Sequence, residues 1–516
     1  MKESAIERSL TQRTFLNAAA ALLNYGVSIV VALILNPLLL TYLGASLFGT
    51  WKICQRLLTY VSATDGRASQ ALKWTIANRK SVSDTEQKQR EIGCAIVVWL
   101  RFLPLILLAG ALLSWFSPWF IRGLPREHFI ITRLTCGILV FNLILHPVKS
   151  IPESVMVGMN LAYRTIWINS VCTLIGGILM AVAAWVGWGL VGLAGATMLA
   201  SLFGGGATLY LAKRNLPWLA VQKPEKTEVS SFFNLSIWML SWTFVNKLLL
   251  ASDIVILGLI SSASLVASYI LTIYIIQTAV QFSTILVSSG MPGMGDLVGR
   301  GDFRKAASVR SEIMTSSWLL ATVIGTMVLL WNRSFIGLWV GEEQFLGYVE
   351  NFLMVIWMTQ LIFITNDSNI VNVTLEIRTK VLLGALSTMV SLGLAFVFGI
   401  YFRSPAAGVL TGLIIGRTII SILYPMLVNN FLHITKKSCF EFVYGISRNA
   451  ITMILMFSLS SYVSKRFIVE KWNWFLLSTI ISLIIVIMLS FWLGLSKLQR
   501  EKINKRLKQI SVKIKS

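Results

Sequence analysis

The residues of this sequence best placed to do chemistry are cations in apolar surroundings. In WKICQRLLTYVSATDGR, residues 51–67, Lys52 and Arg56 stand four apart, on one face of any helix they form. Arg101, Lys247 and Arg417 stand in comparable apolar runs. Asp253 is the one acid as deep; Asp65 and Asp367 lie toward the ends of their runs. A cation at mid-membrane costs roughly 2.5–3.5 kcal/mol, so four facing lipid would cost on the order of 10–14 kcal/mol. One Asp cannot neutralise them. They line a hydrated cavity or meet an anion, although Lys52 and Arg133, nearer the surface, can also snorkel. An excess of buried positive charge points to an anionic ligand. Phosphate suits it: the guanidinium fork bonds it bidentately, and Lys adds a point charge. Asn and Gln in the same runs (Asn17, Asn24, Asn246, Gln360, Asn366) could hydrogen-bond hydroxyl groups or join helices to one another.

Bond chemistry has no comparable support. The sequence holds no GxxxxGK[ST] loop. Its three histidines (His128, His146, His433) are isolated, and its five cysteines are scattered with no metal-ligand spacing. No cofactor is expected.

The elements that must position these charges follow from composition. Of 516 residues, 56% are hydrophobic and 13% charged, with mean hydropathy +0.74; a soluble chain of this length needs more polar surface. Apolar runs recur throughout and predict an all-α polytopic membrane protein of about 14 transmembrane helices. These fall near 15–43, 46–65, 91–117, 129–148, 165–187, 189–212, 232–259, 263–288, 311–331, 346–370, 380–402, 405–429, 448–465 and 473–495. The first run is too long for a signal peptide and is read as a retained helix.

With both termini cytoplasmic, about 32 Lys and Arg fall on the inner side and about 7 on the outer, as the positive-inside rule requires. That asymmetry accounts for the net charge of +23 better than nucleic acid does. The tail KLQREKINKRLKQISVKIK would lie along anionic lipid. Trp115, Trp119, Trp185, Trp188, Trp331, Trp339, Trp472 and Trp474 all fall at expected outer helix ends, where indole rings favour the headgroup level.

The chain also reads as duplicated. FLNAAAALLNYG…LLLTYLGASLFGTWK opens the first half, and FFNLSIWMLSWTF…IVILGLISSASLVASYI opens a second at 232. The resulting parse is a six-helix bundle over 1–212, a cytoplasmic linker over 213–231 and a second six-helix bundle over 232–430. A further helix pair over 431–495 and a basic tail over 496–516 complete it. Gly192, Ala196, Ala200 and Gly204 recur every four residues and predict close helix packing. Asn36-Pro37 marks a hinge or a static kink in the first helix.

With these residues in view, the chain resembles the polysaccharide-exporter (Wzx-like, O-antigen) branch of the multidrug/oligosaccharidyl-lipid/polysaccharide flippase superfamily. The resemblance rests on the L-G-x-x-x-F-G-x-W element at 43–51 and on MPGMGDLVGRGDFRKAASVRSEI at 291–313. It covers residues 1 to about 430; the last two helices look like the extra pair that some members carry. It implies two six-helix bundles around a central cavity that opens alternately to each side. It also implies, as substrate, a polyprenyl-pyrophosphate-linked oligosaccharide, moved to the outer leaflet of a bacterial cytoplasmic (inner) membrane. On that reading Arg56, Lys247 and Arg417, with Lys52 and Arg101, engage the pyrophosphate, and Asp253 and Asp367 are the carboxylates to test for Na⁺ or H⁺ coupling. Expected partners are the lipid-linked glycan and membrane lipids. A polysaccharide polymerase and chain-length machinery are candidates that no residue here identifies. A cation-coupled multidrug exporter of the same superfamily is the second reading, although helix one lacks the carboxylates that task favours. A membrane glycan polymerase or ligase is the third, opposed by the short outer loops.

Overall fold

The computed structural model describes residues 2–62, 67–78, 85–159, 161–373, 377–433, 436–497 and 499–501. They form fourteen α-helices: α1 Lys2–Val61, α2 Ala68–Asn78, α3 Thr85–Phe116, α4 His128–Gly158, α5 Ala162–Trp185, α6 Gly189–Asn215, α7 Lys226–Ile260, α8 Ala263–Gly299, α9 Phe303–Val340, α10 Tyr348–Val373, α11 Ile377–Tyr401, α12 Pro405–Phe431, α13 Lys436–Ser464 and α14 Trp472–Leu489. No β-strand occurs among the described residues, only an isolated bridge between Arg122 and Ser262. Asp65 and nearly all of the basic tail lie outside the described residues.

Eleven helices are long and apolar enough to cross a bilayer, and α7, bent by 51° between Leu240–Leu250 and Ser252–Ile260, makes a twelfth. The first candidate covers 43 residues, Ala19–Val61, about twice what a bilayer needs. It is broken at Gly44, whose φ of 75° and ψ of 164° leave the helical region. A positive φ is strained for any residue with a Cβ. Lys52 Nζ donates to Asn36 Oδ1 at 3.1 Å across that break. Sixteen residues of straight helix would hold them about 24 Å apart, so the chain reverses at Gly44. The two arms of α1 therefore supply the expected span 15–43 and the expected span 46–65 as far as Val61; 63–65 lie outside the described residues.

The chain divides into two compact units, Met1–Ala267 and Ser268–Ser516. The boundary falls near the start of α8, whereas composition places the linker at 213–231. That segment is packed: Gln89 Nε2 donates to the Trp218 carbonyl at 2.7 Å, and the Gln222 amide donates to the Gln89 carbonyl at 3.3 Å. Glu225 and Glu228 then form a reciprocal capping box that starts α7, and Arg90 pairs with Glu228 at 3.1 Å. The sequence reading places no helix within 66–90, yet α2 lies there. Its Ala68, Ala71, Leu72 and Ile76 are buried in one cluster with Ile92, Ala95 and Val98 of α3 and Val155 and Met156 of α4. A short amphipathic helix of this kind is set by packing rather than by length of apolar run.

In the second unit α11 and α12 meet along a glycine seam. A Cβ on Gly408 would collide with the Phe398 carbonyl, one on Gly412 with the Leu394–Ala395 backbone, and one on Gly416 with Ser391. Small residues on one face let helices approach where lipid supplies no hydrophobic drive. The expected stripe on α6 also packs: a Cβ on Gly204 would lie 2.8 Å from Cys172 Sγ, and one on Gly176 would lie 3.3 Å from Ala200 Cβ. The last two helices both dock on α9: Trp331 Nε1 donates to Ser482 Oγ of α14 at 2.8 Å, and Phe457 of α13 packs against Gly325. Their other faces, with Ile451, Leu455, Ile480 and Ile484 exposed, are suited to lipid.

Candidate functional site

The first unit gathers its intramembrane charges where the second arm of α1 meets α7. Lys52, Arg56 and Tyr60 follow at four-residue intervals on one face of that arm. Lys52 bridges to Asn36, which is buried, and its ammonium stands 5.2 Å from the Phe48 ring centroid, a cation–π contact. Arg56 lies within the electrostatic reach of Lys52 on one side and of Tyr60 on the other. Tyr60 Oη donates to Ser252 Oγ at 3.3 Å and also lies within reach of Asp253. Lys247 Nζ donates to the Thr59 carbonyl at 2.9 Å and to Ser62 Oγ. A cation there meets the negative end of the α1 dipole. Asp253 is almost completely buried. Lys52, Arg56, Lys247 and Asp253 are thus brought into one neighbourhood, with Tyr60 as a hydroxyl that sequence reasoning missed. Its only advance signal was the spacing 52, 56, 60.

Close packing holds this arm in place. A Cβ on Gly49 would collide with the Ala263 carbonyl, and one on Gly258 would lie 2.9 Å from Ile53 Cδ1. The Cys54 thiol is in hydrogen-bond contact with Cys136 of α4. Arg101 is placed elsewhere. It is exposed on α3 in line with exposed Leu105, Leu108 and Leu112, a face suited to lipid, where a long cation reaches the interface by snorkelling. Arg133 lies over Trp115 at 4.2 Å, near the end of α3.

The second unit holds the other two candidates, apart from each other. Arg417 is 1% exposed on α12, with its guanidinium carbon 5.5 Å from the Trp357 ring centroid of α10. Asp367 of α10 accepts from Arg310 Nε and Nη2 at 3.0 and 2.9 Å, and Arg310 Nη1 donates to Asn429 Oδ1 at 2.5 Å. Arg310 is outside the expected ninth span, which starts at 311, whereas α9 begins at Phe303; Asn429 is the last residue of the expected span 405–429. Lys380, fully buried, donates to the Ser368 carbonyl at 3.0 Å and to Asn372 Oδ1 at 2.6 Å. Apolar-run reading passes over such end-of-span residues. At the start of α9 the Asp302 carboxylate caps the helix, and its hydrogen bond to Lys305 holds its pKa below the usual value.

No family model matches the sequence, and no curated protein sequence does either. Solved structures do. A multidrug resistance MATE family transporter of the MOP superfamily, in an inward-facing conformation, aligns with a TM-score of 0.64 at 14% identity. It covers 80% of this chain and 96% of its own. The lipid II flippase MurJ, inward closed, aligns with a TM-score of 0.68 at 13% identity, covering 93% and 98%. A MOP superfamily transporter from Pyrococcus furiosus aligns at 0.52 and 14%, covering 82% and 94%. At these identities the likeness carries the fold: the chain folds as MOP superfamily transporters do.

Proposed function

We propose that the protein is a flippase. It moves a polyprenyl-pyrophosphate-linked oligosaccharide from the inner to the outer leaflet of a bacterial cytoplasmic membrane for surface-polysaccharide synthesis. The observation that carries this reading is the stacking of Lys52 and Arg56 on one face of the second arm of α1, beside Lys247 of α7. These cations offset a diphosphate that must leave water, and Tyr60 supplies a hydroxyl donor. The lipid tail stays in the bilayer, and the charged face opens to each side in turn, with both termini cytoplasmic. Asp253, in the field of the cations, and Asp367 are the carboxylates to test for Na⁺ or H⁺ coupling. The lipid II flippase among the structural neighbours supports a lipid-linked cargo, and the positive-inside asymmetry supports the orientation.

A multidrug exporter is the second reading, favoured by buried Asp253 within the site and by the MATE neighbours. The test is lipid-linked oligosaccharide in cells lacking the gene, complemented with wild type or Arg56→Ala at equal expression. Accumulation of cytoplasm-facing repeat units, reversed by wild type and poorly by the variant, supports flipping and the cationic site together. Full rescue by the variant removes Arg56 from the site. A deletion that accumulates nothing, in cells without a second exporter, and instead gains drug sensitivity supports the multidrug reading.

A further inference from the structure

A second cationic cluster stands in the second unit, where α9 and α13 end and α10 and α14 begin, and plays no part in the site above. Arg333 of α9 is half-buried. Its Nη1 donates to Tyr348 Oη at 2.5 Å, and its guanidinium carbon is 5.5 Å from the Tyr348 ring centroid. Exposed Lys465, just past the end of α13, approaches the same ring to 5.8 Å. Exposed Arg466 lies 4.9 Å from the ring of Tyr462. Two cations on one phenol ring, with a third next in sequence, concentrate positive charge at this point.

The nearby carboxylates do not serve. Among the described residues, no carboxylate oxygen lies within 4.0 Å of the cationic nitrogens of Arg333, Lys465 or Arg466. Glu350 accepts from Ser404 Oγ at 2.5 Å, Glu342 and Glu343 fold against Gly337 and Gly341, and Glu470 is exposed. Helix dipoles do not serve either. α9 and α13 end here while α10 and α14 begin here, so the half-charges at their termini cancel in pairs. The three cations thus have no ion-paired carboxylate among the described residues.

The depth is that of lipid headgroups. Phe335 stacks on Trp339 at 5.1 Å and meets Trp472 at 6.5 Å, an aromatic girdle of the interfacial kind. In the proposed orientation this end faces outward. Cations are scarce on that side, yet Arg333, Lys465, Arg466 and Lys471 make up more than half of the roughly seven there. A cluster that runs against the topological bias, that has no ion-paired carboxylate among the described residues and that sits at headgroup depth is suited to an anionic ligand.

We propose that Arg333, Lys465 and Arg466 form a docking site for a phosphate group at the outer membrane surface. Arg333, held in place by Tyr348, supplies the planar fork, and the two exposed cations close over the phosphate oxygens. The source of the phosphate is either a lipid headgroup or a free phosphate.

The test uses the full chain in a maltoside detergent, which contributes no phosphate. Lysine acetylation is read by peptide mass spectrometry with phosphatidylglycerol, with sodium pyrophosphate, or with neither. Phosphatidylglycerol is expected to lower labelling of Lys465 at least about threefold relative to Lys471 and Lys497. Protection by pyrophosphate as well assigns the site to phosphate in general, and protection by the lipid alone assigns it to a headgroup. Protection by neither, or equal protection of all three lysines, overturns the proposal. Arg333→Gln is expected to lower phosphatidylglycerol retained in native mass spectra about tenfold, and exposed Arg466→Gln, should the first variant not fold, several-fold. Unchanged retention in a folded variant also overturns it.

Discussion

Removing the Asp367 carboxylate should expose what that residue does. The Arg310 and Asp367 side chains are 4% and 3% exposed, with nitrogen–oxygen distances of 2.9 and 3.0 Å. At an effective dielectric near 20 such a pair attracts by about 4 kcal/mol, and breaking a buried pair from one side costs about 3–5 kcal/mol because the other charge is stranded. In Asp367→Ala, Arg310 keeps the Asn429 amide oxygen as an acceptor. The expected loss is therefore about 3–4 kcal/mol, or roughly 6–15 °C in melting temperature for a unit of this size. Asp367→Asn retains an acceptor and should lose about half as much. Replacing both partners, as Arg310→Met with Asp367→Leu, should melt near wild type, since apolar packing substitutes well for a buried pair. The assay is a thermal melt of detergent-solubilised protein across the cycle of single and double variants. Asp367→Ala melting within about 2 °C of wild type would refute this electrostatic account. The same variants separate structure from coupling: loss of ion dependence of transport in a stable Asp367→Asn protein would assign Asp367 to ion coupling.

Three further outcomes are expected. Gly412→Leu drives a side chain into the Leu394–Ala395 backbone and should cost at least about 1–3 kcal/mol of overpacking; a melt indistinguishable from wild type contradicts the seam between α11 and α12. A membrane-permeant thiol oxidant should join Cys54 to Cys136, which are both buried and in contact. Recovery of the two as separate alkylated peptides after oxidation would place α1 away from α4. Arg101→Gln, on the outward leucine face of α3, should leave transport within about twofold of wild type, a change under 0.5 kcal/mol. A loss comparable to that of Arg56→Ala would return Arg101 to the substrate path.

What the sequence determined by itself is whatever depends on local transfer energy. Runs of apolar residues mark spans because each backbone must satisfy its own hydrogen bonds in lipid, so the all-helical class and most helix positions were legible. The four-residue spacing of Lys52 and Arg56 put them on one face before any neighbour was known. Tertiary structure decided the rest, because a charge is defined by its partner and the partners are distant in sequence. Only the fold brings Asn36 back to Lys52 across Gly44, Arg310 to Asp367 across 57 residues, and Lys247 to the end of α1 across 188. It also decided that Arg101, which reads in sequence like Arg56, stands on an outward apolar face. One residue type at one hydropathy carries no record of which side of its helix meets protein and which meets lipid.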